Sequence, residues 1–171
     1  MTTQFDILIK NCQFRGEPEI RYDIGVSNGK IAALGESLSG EAQTIIDAQG
    51  NLVTEAFVNA HLHLCKVYTL PMMDELALKD YHGADMGKAM TAIELASRIK
   101  ESYDESWIIK NVRKAVALSA IYGGTHIRAF ADVDSKAKLI GAKALIRARE
   151  EFKGIVDIQV VAFAQDGIVR E

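Results

Sequence analysis

Apolar and polar residues alternate from the start of the chain, with Phe5, Ile7 and Ile9 set against Asp6 and Lys10. That period of two predicts a strand over 5–12. A second apolar stretch, 22–35, is interrupted by Asn28-Gly29, which predicts a hairpin whose turn needs positive φ. Further on, Thr44-Ile45-Ile46-Asp47 leads through Gly50-Asn51 to Leu52-Val53, so strand, turn and strand are expected there. Residues 1–55 therefore read as a small antiparallel sheet.

The pattern changes beyond them. Phe57 and Val58 open an apolar strand that ends in His61-Leu62-His63-Leu64. Residues 66–86 have weak periodicity and contain Pro71, Asp74-Glu75 and Gly83, which predicts a long loop with a short helix at most. Met90, Ile93, Leu95 and Ala96 then fall at helical intervals within 87–100. Between 104 and 122, Trp107, Ile108, Val112, Val116 and Ile121 recur near the helical period, with Asp104 as N-cap and Gly123-Gly124 as the stop. Trp107 is expected to anchor that helix in the core. A strand over 125–133, a helix over 135–152 and a strand over 155–164 complete the pattern. Alternating strands and helices predict parallel βα units. In a closed α/β barrel the chemistry lies at the C-terminal ends of the strands, where His61, His63, Arg128, Asp132 and Gln165 fall.

Composition narrows the class. With 171 residues and 49% hydrophobic content, the chain can bury one good core and carry a small appendage. A net charge of −3, a pI near 5.8 and interspersed Lys and Arg leave no basic footprint, so nucleic acid is not an expected partner. The N-terminus lacks a basic segment followed by an apolar one, and no apolar run reaches membrane-spanning length. No membrane partner is expected, and the expected location is cytoplasmic. Cys12 and Cys65 form no C-x-x-C element, which fits a reducing compartment, and Cys65 reads as a buried thiol.

The candidate chemistry centres on the two imidazoles. Side chains at i and i+2 of a strand share a face, so His61 and His63 project together, with Cα atoms roughly 6–7 Å apart. Two neutral imidazoles so placed can converge on one ion. Taken alone, a His-x-His pair also fits surface or satisfied core histidines. On the second strand of this region, His126, Arg128, Phe130 and Asp132 share one face, expected to point into a barrel mouth. An inward Arg must be compensated, and Asp132 either pairs with it or joins it in holding substrate. Gln165 presents a donor and an acceptor side by side, and either reads a substrate edge or caps the following turn.

Three segments together carry a resemblance: Ala56-Phe57-Val58-Asn59-Ala60-His61-Leu62-His63-Leu64, Thr125-His126-Ile127-Arg128 with Asp132-Val133, and Gln159-Val160-Val161-Ala162-Phe163-Ala164-Gln165-Asp166-Gly167-Ile168. Their order and spacing resemble the amidohydrolase superfamily, and within it the cytosine deaminase branch. The resemblance implies an α/β fold, the N-terminal part of a TIM-type (β/α) barrel over 56–171 preceded by a small antiparallel β-sandwich piece over 1–55. It implies a metal-dependent hydrolase of a C–N bond other than a peptide bond, deaminating a small nitrogen heterocycle. His61 and His63 would then hold Zn²⁺ or Fe²⁺, and Gln165, with Arg128 and Asp132, would bind the substrate. Departures accompany the match. Glu55-Ala56 replaces the usual Pro-Gly, Cys65 stands where relatives often carry Asp, and Phe130 stands where cytosine deaminases often place a second His.

The barrel of that superfamily has eight strands, and the sequence is expected to supply only the first βα units. The third metal-binding His, the H-x-x-E acid/base segment and the terminal Asp have no counterpart, and His82 reads as a solvated loop residue. Two alternatives therefore stand beside the deaminase. One is a catalytically incomplete remnant or subunit of a split amidohydrolase that associates with a partner chain, and the other is an amidohydrolase of a triazine or cyclic amide. Open sheet edges would favour a homo-oligomer or a complementing chain.

Overall fold

Residues 4–72 and 98–165 are described by the structure, a computed structural model. Most of the expected helix at 87–100 lies outside these residues, as do Asp74-Glu75, His82 and Gly83 of the long loop and Asp166-Gly167 after the last strand. The chain divides into two compact units, Met1–Glu55 and Ala56–Glu171.

In the first unit the alternating pattern forms β1 (Gln4–Phe14), β2 (Glu17–Ser27), β3 (Lys30–Gly35) and β4 (Glu41–Asp47), in sheet order β3-β2-β1-β4. The β2–β3 hairpin turns at Asn28 (φ 53°) and Gly29 (φ 70°), the positive φ values that a two-residue primed turn requires. The sheet is mixed, and here it departs from the antiparallel expectation: β4 runs parallel to β1. Strands β3 and β4 occupy opposite edges, so a crossover joins them instead of a tight turn, and a crossover delivers its strand in the same direction. Buried Asp23 fixes that crossover by accepting the backbone N–H groups of Leu38 (3.1 Å) and Asn11 (3.0 Å). Phe5, Leu8, Cys12 and Ile24 form the buried interior.

The second unit is built on a parallel sheet of β5 (Phe57–Leu62), β6 (Gly124–Asp132) and β7 (Asp157–Phe163), in that order. Helices α1 (Glu105–Ile121) and α2 (Ile140–Glu151) pack on one face. The side chain of Asp104 accepts the Ser106 N–H at the start of α1, and Gly123 with φ 80° follows its end. Ile108, Val112 and Val116 form its buried stripe. Ile121 is 74% exposed, because five residues past Val116 carry it about 140° around the helix. Trp107 packs against this core, partly buried, with its indole N–H donating to Ser102 O. Helix α2 begins five residues later than the pattern at 135 suggests. Asp134 Oδ1 draws in the N–H groups of Lys136 and Ala137, and Lys138 adopts φ 51°, so the intervening residues form turns.

Ile127, Ala129, Ala131 and Ile158 are buried beneath the helices, while His126, Arg128 and Gln159 are exposed on the opposite face. This is a mixed α/β arrangement resembling part of a (β/α) barrel, and the described strands form an open sheet. Edge strand β5 leaves Phe57 and Val58 64% and 66% exposed. No helix among the described residues is long and apolar enough to cross a membrane.

Two outcomes test this packing. A Cβ at Gly25 would lie 2.4 Å from the Phe5 ring. Gly25→Ala should therefore lower stability by about 1–3 kcal/mol in urea denaturation, and an unchanged midpoint would show that the ring lies elsewhere. The second concerns Glu151, which accepts two 2.7 Å bonds from Arg113 on α1 and one of 3.1 Å from Arg147. The hydrogen bonds from Arg113, then Arg147, hold its carboxyl down at about 2. A depressed folded value means that the stabilisation is complete above the ordinary carboxylate range and disappears as pH falls through about 2. The stability difference between wild type and Glu151→Gln should thus be constant near neutrality, shrink in acid, and weaken in high salt.

Candidate metal centre

Strand β5 ends where its pairing with β6 becomes irregular, between Asn59 and Leu62. The Asn59 side chain accepts the His61 N–H at 3.2 Å, and His63 (φ −76°, ψ 71°) leads into a 3-10 turn, Leu64–Lys66. The two imidazoles meet with Nε2 atoms 3.3 Å apart. Two nitrogens bound to one tetrahedral ion at ordinary zinc–nitrogen lengths stand about 3.3–3.4 Å apart. The same separation lets one ring donate to the other, so the pair can share a proton or a cation. Phe130 stacks on His61 with ring centres 4.3 Å apart, and Phe163 meets His63 edge-on at 5.2 Å. Among the described residues, no group of three or more His, Cys, Asp or Glu side chains is arranged to hold a metal.

Behind the imidazoles lies Asp132, 0% exposed at the end of the central strand. Lys66 Nζ donates to its Oδ2 at 2.8 Å and the Tyr103 hydroxyl at 3.3 Å, and Lys100 Nζ stands 3.9 Å away. The Asp132 N–H donates to Cys65 Sγ at 3.4 Å. Burial alone would raise this carboxyl's pKa, but His63 and Lys66, with the Lys100 charge, hold it below the usual carboxylate range. Burial, with Asp132 adding to it, pushes the Cys65 thiol up. Burial and the neighbouring Cys65 push the Tyr103 hydroxyl up as well. Both therefore stay protonated at neutral pH. Lys66 also donates to Gln165 Oε1, and Lys100 bonds Asp134 at 2.5 Å.

His61, His63, Asp132 and Gln165 thus lie within one connected cluster, and Arg128 does not. Its Nε donates to Gln159 Oε1 at 2.7 Å, across the β6–β7 register that sets the two residues opposite one another. The Arg128–Asp132 pair considered from sequence is not formed, because four residues of extended strand separate their Cα atoms by about 13 Å. Lys66 takes that place. Lys66, Tyr103 and Lys100 were not legible as site residues, although Lys66 follows His63 closely enough for one tight turn to fold it back. Lys66→Met should cost about 1–3 kcal/mol by leaving Asp132 short of a donor. Arg128→Met, at an exposed position, should stay within about 0.5 kcal/mol. The reverse ranking in chemical denaturation would contradict this assignment.

No protein-family model matches the chain. It is 34% identical over 167 residues to the N-isopropylammelide isopropyl amidohydrolase of Pseudomonas sp. (strain ADP), covering 98% of this chain and 40% of that protein. A shorter stretch of 61 residues is 49% identical to allantoinase from Salmonella newport, 35% of this chain and 13% of that one. Among solved structures, 5-methylcytosine deaminase from Klebsiella pneumoniae superposes with a TM-score of 0.74 at 25% identity, over 94% of this chain and 37% of the other. N-isopropylammelide isopropylaminohydrolase from Burkholderia multivorans shares the fold with a TM-score of 0.72 at 24% identity, over 96% and 39%. The chain spans about two-fifths of the length of the Pseudomonas, Klebsiella and Burkholderia proteins. Over that length it resembles amidohydrolase-superfamily enzymes in both sequence and fold.

Proposed function

We propose that the chain supplies the His61/His63 portion of a divalent-metal site in an amidohydrolase-type C–N hydrolase, and that a complementing polypeptide must complete the site for activity. The observation carrying this reading is the 3.3 Å approach of the two Nε2 atoms with no three-ligand cluster among the described residues. Catalytic zinc ordinarily takes three protein ligands and a water. Zn²⁺ or Fe²⁺ in such a site would supply Lewis acidity and a water acidified to a pKa of about 7.

The chain's own residues would orient the substrate. Phe130 and Phe163 offer flat apolar surfaces beside the imidazoles. Lys66 occupies Gln165 Oε1, which leaves the amide nitrogen as the donor for a ring nitrogen or carbonyl. Lys66 itself, between Asp132 and Gln165, adds a positive charge at the substrate's edge. The relatives' names specify a methylcytosine, an alkylated ammelide and allantoin, and a small nitrogen heterocycle is the substrate class that fits all of these features. Deamination of a pyrimidine and hydrolysis of a triazine or cyclic amide are both within this chemistry.

The test combines metal analysis with release of ammonia or amine from a panel of pyrimidines and triazines. The chain alone should lose zinc on dialysis against a mild chelator and show no turnover. Mixed with a polypeptide spanning the remaining barrel strands of the Pseudomonas relative, it should retain zinc and turn over, and His61→Ala should abolish both. Stoichiometric zinc and turnover by the chain alone would sink the proposal that complementation is needed.

A further inference from the structure

Resting on the metal reading above, we infer that Asp132 is a positioning residue that sets the tautomer of His63: it keeps the proton on Nδ1, so that the Nε2 lone pair faces His61 and a metal ion. The argument lies in how the two carboxylate oxygens are used. Lys66 at 2.8 Å, Tyr103 at 3.3 Å and Lys100 at 3.9 Å all approach Oδ2. Oδ1 faces His63 Nδ1 at 3.7 Å, and among the described residues these two are the buried side-chain polar atoms without a hydrogen-bond partner. Each is the group the other lacks. A tilt of the ring by roughly half an ångström brings the pair into hydrogen-bond range.

The polarity of that contact is fixed. A carboxylate only accepts, so Nδ1 must carry the proton; an unprotonated Nδ1 would set lone pair against lone pair in a buried setting. Nor can Asp132 rotate away from the ring. Its backbone is held by the N–H bond to Cys65 Sγ and by pairing with Phe163, and Oδ2 is held by Lys66 and Tyr103. Carboxylates that orient a ligating imidazole through its distal N–H act in this way, and losing one typically weakens metal affinity about 10–100-fold.

Substitution by asparagine gives a specific expectation. An ammonium can only donate, so the amide oxygen of Asn must turn to Lys66, which leaves the amide nitrogen facing His63. That nitrogen donates, Nδ1 must accept, and the ring proton moves to Nε2, which can then no longer ligate.

The experiment is long-range ¹H–¹⁵N correlation of the histidine-labelled full chain in mildly alkaline buffer, with His63 assigned by means of the His61→Gln, His82→Gln and His126→Gln variants. Wild type should show His63 with the proton on Nδ1, and Asp132→Asn should show it on Nε2 with Zn²⁺ binding about 10–100-fold weaker. If Asp132→Asn does not fold, the wild-type spectrum alone decides. An Nε2–H tautomer in wild type overturns the inference even if Zn²⁺ shifts both imidazoles. A His63 with its proton on Nδ1 that ignores Zn²⁺ supports the positioning role and sinks the metal reading instead.

Discussion

A carboxylate with no access to water, at the end of the central strand, is the constraint on which this half of the molecule depends. An isolated buried charge costs several kcal/mol even after relaxation, so Asp132 can be charged only if donors reach it from neighbouring elements. They do so from both sides in sequence: Lys66 from the turn after β5, and Tyr103 and Lys100 from the segment before α1. The tight turn Leu64–Lys66 brings the ammonium back over the strand end, and the same turn sets His63 beside His61. The imidazole pair and the buried charge are therefore a single structural feature.

Much of the scaffold was legible because it rests on local rules. The Asn28-Gly29 hairpin, the Asp104 cap, the Ile108–Val112–Val116 stripe and the alternation of strand and helix follow from turn chemistry and period. Direction was less legible: β4 runs with β1 because of a crossover that no local pattern reveals. The partners of charged residues were least legible. Arg128 and Asp132 share a strand face, yet Arg128 meets Gln159 across the register and Asp132 meets Lys66 from another element. Period two tells which way a side chain points, and the tertiary pairing decides what it meets.

The two faces of the parallel sheet differ in kind. Helices bury the aliphatic side chains of one face, whereas the other presents His126, Arg128 and Gln159. Parallel sheets are ordinarily covered on both faces. A partner for the polar face would have to match hydrogen bonds and charges, a more selective requirement than covering oil. The apolar component lies at the β5 edge instead, where Phe57 and Val58 border a groove of about 560 Å³ that runs to Leu118 on α1 and to Tyr122 just past its end.

The pairing of β5 with β6 adds one more consequence. Val58 pairs with His126, so the strand that carries His61 and leads into His63 joins the sheet only by closing a long loop. Closure of that kind is entropically costly and forms contacts late, and such contacts also open easily. The amide protons of β5 should accordingly exchange with solvent sooner than those of β6, which has a neighbour on each side. An ion gripped by His61 and His63, and through His63 coupled to Asp132 on β6, would act as a clasp on the loop. Its occupancy would be written into the lifetime of the strand.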